Sequence, residues 1–184
     1  MLHSFFIAFW FMVPAAVANV VPILSAAAPG LRHLSAPIDG GIQFRGRSLL
    51  GHHKTWRGLI SGVVAGALIY WLQQLLVRHY TSGPVDAGDL GYMYGYPYLG
   101  ALLGFGALAG DAIKSFFKRQ RGIDSGKTWL PFDQLDYIIG AILISLPFVT
   151  LTVGQYAWIF IIWFVMHLVM SYVGYLLHLK DSPI

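Results

Sequence analysis

Glutamate is absent from this sequence, and so is cysteine. Without cysteine there can be no disulfide, no thiolate zinc site and no thiol nucleophile; the absence says nothing about compartment. Charge of either sign is scarce. Asp, Lys and Arg together make up 11% of the 184 residues, against about 25% in an ordinary soluble domain. A chain that poor in charge cannot cover itself with polar surface, which excludes an ordinary soluble globular protein. The formal net charge of +4 would suit a nucleic-acid binder if the chain were polar. In a chain that is 57% hydrophobic it belongs instead to Lys and Arg flanking membrane spans, and no nucleic acid is expected as partner.

The apolar residues fall into stretches long enough to cross a bilayer, for which about 20 residues are needed. These are Leu2–Ala28, Gly58–Val77, Tyr96–Phe117, Leu135–Val153 and Tyr156–Leu179. They predict an all-α integral membrane protein of about five transmembrane helices. Its length fits a single transmembrane catalytic domain over residues 1–184. Ala26-Ala27-Ala28 looks like a signal-peptidase site, but no Lys or Arg precedes the first apolar run and Arg32 follows it, the reverse of a secretory signal. The first stretch is therefore read as a retained helix with its N-terminus outside. That topology places every Lys and Arg except Arg78 on the cytoplasmic side, together with the C-terminus. It also gathers Trp71, Tyr92, Tyr94, Tyr96 and Tyr98 near the outer interface, with Asp86 and Asp89 in the outer loop. The expected location is the cell membrane, with the polar site facing the cytoplasm.

Against this background one stretch stands out, Gly110 to Asp136: GDAIKSFFKRQRGIDSGKTWLPFDQLD. It holds Asp111, Asp124, Asp133 and Asp136 beside Lys114, Lys118, Arg119, Arg121 and Lys127. Carboxylates and cations set between apolar helices are expensive and mark a functional site by default. Asp111, Lys114, Ser115 and Lys118 are three or four apart, so they share one helical face. Asp133 and Asp136 share a face of the next helix's first turn. As structure, an Asp–Lys pair and dipole-stabilised first-turn acids would explain some of these residues. They leave Arg119, Arg121 and the Gly122–Gly126 loop unexplained. As chemistry, the mixture suits a polyphosphate held through a divalent ion: carboxylates on Mg²⁺, Lys and Arg on phosphate oxygens. Asp111 and Asp133 would be the metal ligands, with Asp136 beside them.

A second constellation lies at the entry of the second helix: Gly51-His52-His53-Lys54-Thr55-Trp56-Arg57-Gly58. It is not a Walker A loop, because two histidines separate the glycine from the lysine. Adjacent histidines cannot share a helix face, so a paired-His metal site is not expected either. Glycines, Lys54, Thr55 and Arg57 at a helix N-terminus can bind phosphate, or can simply anchor the chain at the inner surface. The loop that leads to them, from Pro29, is long and carries a turn at Asp39-Gly40-Gly41. In the first helix Asn19 sits before Pro22, whose ring clashes with the carbonyl of Ala18. Asn19 either bonds a neighbouring helix or lines a polar cavity. Gly58, Gly62 and Gly66, and again Gly100, Gly104 and Gly110, form small-residue stripes for close packing within the protein or in a homodimer. His167 lies alone in the last helix and is read as a packing residue.

Taken together, Gly110-Asp111, Ser115, Lys118-Arg119, Gly122, Asp124-Ser125-Gly126, Pro131 and Asp133-Gln134-Leu135-Asp136 resemble the signature of CTP-dependent cytidylyltransferases that act on phospholipid precursors. Lys54-Thr55-Trp56-Arg57-Gly58 and Ala18-Asn19-x-x-Pro22 make the chain most similar to the smaller branch, the CDP-archaeol synthases, over nearly its whole length. The resemblance implies a five-helix membrane fold and CMP transfer from CTP to a lipid phosphate, 2,3-bis-O-geranylgeranylglycerol 1-phosphate. It implies Asp111, Asp133 and Asp136 as metal-binding and, with Lys118, catalytic residues. Asn19, Lys54, Thr55, Arg57, Ser115 and Arg119 would bind CTP and phosphate. Where the phosphatidate branch has a His-Gly-Gly stretch, this chain has Trp129-Leu130-Pro131-Phe132. The archaeol branch is thus expected, with phosphatidate as the alternative acceptor. A small ion or solute transporter is the rival from another class, but the charges gather at one surface and no inverted repeat is visible. A phosphotransferase consuming CDP-lipids would share Asp39-Gly40 but needs acids downstream at a spacing absent here.

Overall fold

The computed structural model describes residues 1–31, 34–80, 95–124 and 127–176. Arg32, Asp86, Asp89, Tyr92, Tyr94, Ser125, Gly126, His178 and Lys180, each given a place above or near the C-terminus, lie outside the described residues, as does the C-terminus itself. The fold is helical: α1 (Leu2–Ala27), α2 (Trp56–Tyr80), α3 (Leu99–Gln120), α4 (Phe132–Ser145) and α5 (Val153–Leu176). Four of the five are long and apolar enough to cross a membrane: α1, α2, α3 and α5. The fourth sequence stretch behaves differently. Its helix begins before Leu135, at Phe132, and stops after 14 residues at Ser145. Pro147 follows in a turn: it has no N–H to donate back to the helix, and Phe148 N and Val149 N both donate to Ser145 O, at 2.9 Å each. Val149 and Leu151 then fold back into the core.

Packing follows helical periodicity on the inner faces. Ile7, Phe11, Ala15 and Ala18 of α1 are buried, as are Leu99, Leu103 and Ala107 of α3 and Ile138 and Ala141 of α4. The outer faces carry Leu24, Leu68, Trp71, Leu143, Ile161 and Val165, all exposed and all suited to lipid. At one end Phe5 meets Trp158 edge-on, and Tyr96 and Tyr98 both pack on Phe148. Such aromatics suit a membrane interface, as the sequence suggests for this end.

The glycine stripes are used inside one chain. Along α2, Gly58, Gly62 and Gly66 face Pro22, Ala18 and Pro14 of α1, one helical turn after another. A side chain at Gly62 would sit 2.7 Å from the Ala18 carbonyl oxygen, the acceptor that Pro22 leaves without its usual partner. Pro14 deprives Trp10 in the same way, and the Gln73 amide of α2 donates to the Trp10 carbonyl at 2.8 Å. Gly66 meets Gly100 of α3, and Gly106 and Gly110 of α3 meet Gly140 of α4. The last contact brings α4's first turn against the polar end of α3.

The loop between α1 and α2 is ordered by its own hydrogen bonds. Asp39 is buried and its carboxylate accepts from Gly41 N at 3.0 Å and Leu50 N at 2.9 Å. Between these, β1 (Gln43–Phe44) and β2 (Arg47–Ser48) form a short antiparallel ribbon. Its two turn residues, Arg45 and Gly46, both have positive φ, 53° and 74°, the geometry of a tight hairpin turn. Asp39 thus staples a loop, which removes the likeness to CDP-lipid phosphotransferases.

A Gly140→Val substitution should place its side chain against the Gly106 backbone. The expected cost is about 1–3 kcal/mol, read as a lower unfolding temperature in detergent. Gly154→Ala, with no atom within 4 Å of the added carbon, should leave that temperature nearly unchanged; equal losses in both would refute the packing account.

Candidate functional site

Three structural devices bring the charged residues together. The first is the end of α3. Gly122, at φ 76°, closes the helix: Gly122 N donates to Arg119 O at 2.9 Å and Ile123 N to Lys118 O at 3.1 Å. This paired arrangement ends a helix sharply on a left-handed glycine. Arg47 of the loop donates to the Gln120 carbonyl, capping the same end. The second device is backbone pairing of the loop with the α2 entry, where Ile38 N donates to Lys54 O at 2.8 Å and Trp56 N to Ala36 O at 3.0 Å. This fixes Lys54 over α3. The third is the glycine contact of α3 with α4, which seats Asp133 and Asp136 opposite Asp111.

The result is a closed ion cluster. The Lys114 ammonium lies 3.1 Å from Asp111 Oδ1, 2.7 Å from Asp133 Oδ1 and 3.0 Å from Asp136 Oδ2. Lys118 donates to both oxygens of Asp133, at 3.1 and 3.0 Å. Lys54 pairs with the second oxygen of Asp111. Asp136 also accepts from Tyr137 N, and Asp133 from Trp129 N. Three carboxylates are thus balanced by three ammoniums, with side chains 4% to 23% exposed. Asp133 opens α4, ahead of its apolar run. Burial pushes its carboxyl pKa up, but Lys114, the Trp129 N–H and Lys118 outweigh that and hold it below the ordinary carboxylate value.

The cluster forms one wall of a cavity of about 840 Å³. Of the residues expected from sequence, Asn19, Lys54, Thr55, Arg57, Asp111, Lys118, Asp133 and Asp136 line it. Ser115 and Arg119 do not. Ser115 is buried in the packing of α3, and Arg119 lies beneath the Gly51 backbone. Thr55 also serves the fold, because its hydroxyl accepts from Gly58 N at 3.2 Å and caps α2. His52, His53, Thr128 and Gln134 also line the cavity, which sequence reasoning missed; so do Lys127, placed above among the phosphate-binding cations, and His167, read above as a packing residue. In the sequence Lys114 reads only as half of an Asp–Lys pair. Its i,i+3 spacing from Asp111 is the available signal, whereas its reach to α4 depends on tertiary packing. The opposite wall is apolar, with Ile23, Leu59, Phe105 and Leu108.

Several buried polar atoms around the site have no protein partner: Gln134 Oε1, Arg57 Nε and Arg119 Nε. Of these, Arg57 Nε belongs to a side chain that lines the cavity, and such a donor fits an anionic oxygen. The acids are hard oxygen donors of the type Mg²⁺ prefers. As they stand, they are gathered around an ammonium, and among the described residues no three of His, Asp or Glu form a metal-binding array.

The family model described as "CarS-like: CDP-archaeol synthase" matches residues 1–184. The CDP-archaeol synthase of Thermococcus kodakarensis is 35% identical over 183 residues, covering 99% of this chain and 98% of that protein. That of Thermococcus onnurineus is 36% identical over 183 residues, with the same coverage. That of Methanopyrus kandleri is 35% identical over 181 residues, 95% of this chain and 90% of its own. A solved structure, described as giving insight into an intramembrane enzyme for archaeal membrane lipids biosynthesis, superposes with a TM-score of 0.71 at 30% identity. It covers 89% of this chain and 92% of its own.

The Thr55 assignment is testable by stability. Thr55→Ala should cost about 1 kcal/mol and Thr55→Ser much less, measured by thermal unfolding in detergent. Identical unfolding of all three proteins would show that the hydroxyl does not cap α2.

Proposed function

This chain belongs to the CDP-archaeol synthase family, and from that premise we infer that its ion cluster is where CMP passes from CTP to a membrane lipid phosphate. The protein is a CTP-dependent cytidylyltransferase of archaeal lipid synthesis. The acceptor is proposed to be 2,3-bis-O-geranylgeranylglycerol 1-phosphate, and residues 1–184 to form one catalytic domain. The observation that carries this reading is the two-sided cavity, with Lys and Asp on one wall and α1, α2 and α3 apolar residues on the other. A lipid with an anionic head and isoprenoid tails needs both.

A phosphate oxygen of the lipid attacks the α-phosphorus of CTP. A new P–O bond forms, the bond from the α-phosphorus to the bridging oxygen breaks, and pyrophosphate leaves with the electron pair. The lipid phosphate is already anionic near neutral pH, so no dedicated base is required. What the chain supplies is alignment and charge neutralisation. Lys54, Arg57 and Lys118 face the triphosphate oxygens from the cavity wall. Asn19 sits at the polar edge of α1, where head group and tails divide. Lys127 and Thr128 are further donors at the rim. Asp111, Asp133 and Asp136 would hold Mg²⁺, which when bound neutralises the leaving pyrophosphate.

The test uses protein in detergent with Mg²⁺, labelled CTP and two acceptors, geranylgeranyl-ether glycerol phosphate and phosphatidic acid. Labelled CDP-lipid is expected from the ether lipid. Product from phosphatidic acid alone would move the chain to the other branch, and no product from either would overturn the reading. Asp111→Asn should lower turnover by about 10²-fold or more while the protein remains folded.

The proposed orientation, N-terminus outside and cavity facing the cytoplasm, has a direct test in a cysteine-free chain. Thr150→Cys, in the α4–α5 turn, should react with an impermeant maleimide in intact cells. Ser48→Cys, in the ribbon, should react only after permeabilisation. The reverse pattern would invert the topology.

A further inference from the structure

Lys114 is the centre of the cluster. Its ammonium touches one oxygen of each of the three acids, at 3.1, 2.7 and 3.0 Å, whereas Lys54 and Lys118 each reach one acid. Lys114 therefore occupies the point on which the three carboxylates converge, the position a divalent ion would need to be shared among them. An independent feature points to a ligand at this place. Gln134, one residue from Asp133, is 1% exposed, lines the same cavity, and has no partner for its amide oxygen.

We propose that Lys114 is a positioning residue that stands in for the metal in the resting site. It holds the three acids together and is displaced when the nucleotide-bound divalent ion enters, so metal binding depends on CTP. This rests on the reading of the cluster as the CMP-transfer site. The charge balance supplies the reason. Three carboxylates already face three ammoniums, so a divalent ion arriving alone would give a buried site an excess of positive charge. Arriving on a nucleoside triphosphate, it brings more negative charge than positive, and the freed ammonium has phosphate oxygens to pair with in the cavity it already lines.

Manganese serves as a spectroscopic probe. Purified wild-type protein in detergent, without nucleotide, should bind Mn²⁺ weakly by electron paramagnetic resonance, and millimolar Mg²⁺ should not raise its unfolding temperature. Adding CTP should produce both effects. Lys114→Met should bind Mn²⁺ without CTP at least about tenfold more tightly than wild type. It should unfold at a lower temperature in chelator and recover when Mg²⁺ is added. A lysine that merely braces the helices would lower stability without creating a metal site. The wild-type arm decides the matter even if the variant does not fold: tight, nucleotide-independent Mn²⁺ binding by wild type overturns the proposal, as does unchanged Mn²⁺ affinity in a folded variant. Failure of the CMP-transfer reading looks different, with no CDP-lipid formed by a wild type whose Mn²⁺ binding still requires CTP.

Discussion

Three carboxylates placed between apolar helices require compensation, because a bare charge in such surroundings costs several kcal/mol. The compensation comes from Lys54, Lys114 and Lys118, and it dictates much of the architecture. Lys114 and Lys118 lie on α3 itself, but two of the acids lie on α4 and one of the cations lies in the α1–α2 loop. The helices must therefore approach closely at this level. Gly106, Gly110 and Gly140 permit that approach between α3 and α4, and the Asp39 staple with the ribbon beside it holds the loop that presents Lys54.

The same logic runs through the apolar half. Proline in a membrane helix releases a carbonyl that lipid cannot satisfy. Here Pro14 and Pro22 stand eight residues apart on α1, and α2 answers each. Gln73 donates to the oxygen freed by Pro14, while glycines let α2 lie against the oxygen freed by Pro22. α1 and α2 thus form a unit whose breaks on one helix are matched on the other. Its polar end carries Asn19 and the Lys54–Arg57 segment into the cavity.

Much of this is legible in sequence where the signal is local. Apolar length marks the spans, i,i+3 and i,i+4 spacing puts Asp111, Lys114 and Lys118 on one face, and Asp133 and Asp136 fall at a helix start. What cannot be read depends on the third dimension. Arg119 belongs to the same basic run as Lys118, yet one residue is about 100° of helix rotation, enough to carry it away from the cavity. Thr55 fits a phosphate-binding pattern and a capping pattern equally well until the Gly58 N–H is located. Lys114 looks like one member of an ion pair until α4 docks. The apolar run from Leu135 to Val153 is continuous in hydropathy, but Pro147 cuts the helix short.

That short helix bears on the membrane itself. Fourteen residues make a helix of about 21 Å, against a hydrocarbon core of about 30 Å, and Ile139 and Leu143 on it are exposed. Bilayers meet such hydrophobic mismatch by local thinning. Because α4 keeps its polar first turn and loses its far end at Ser145, the thinning would fall on the leaflet opposite Asp133 and Asp136. The cluster therefore keeps its own membrane surface, while the opposite surface dips towards Val149 and Leu151, which fill the space the missing turns would have taken.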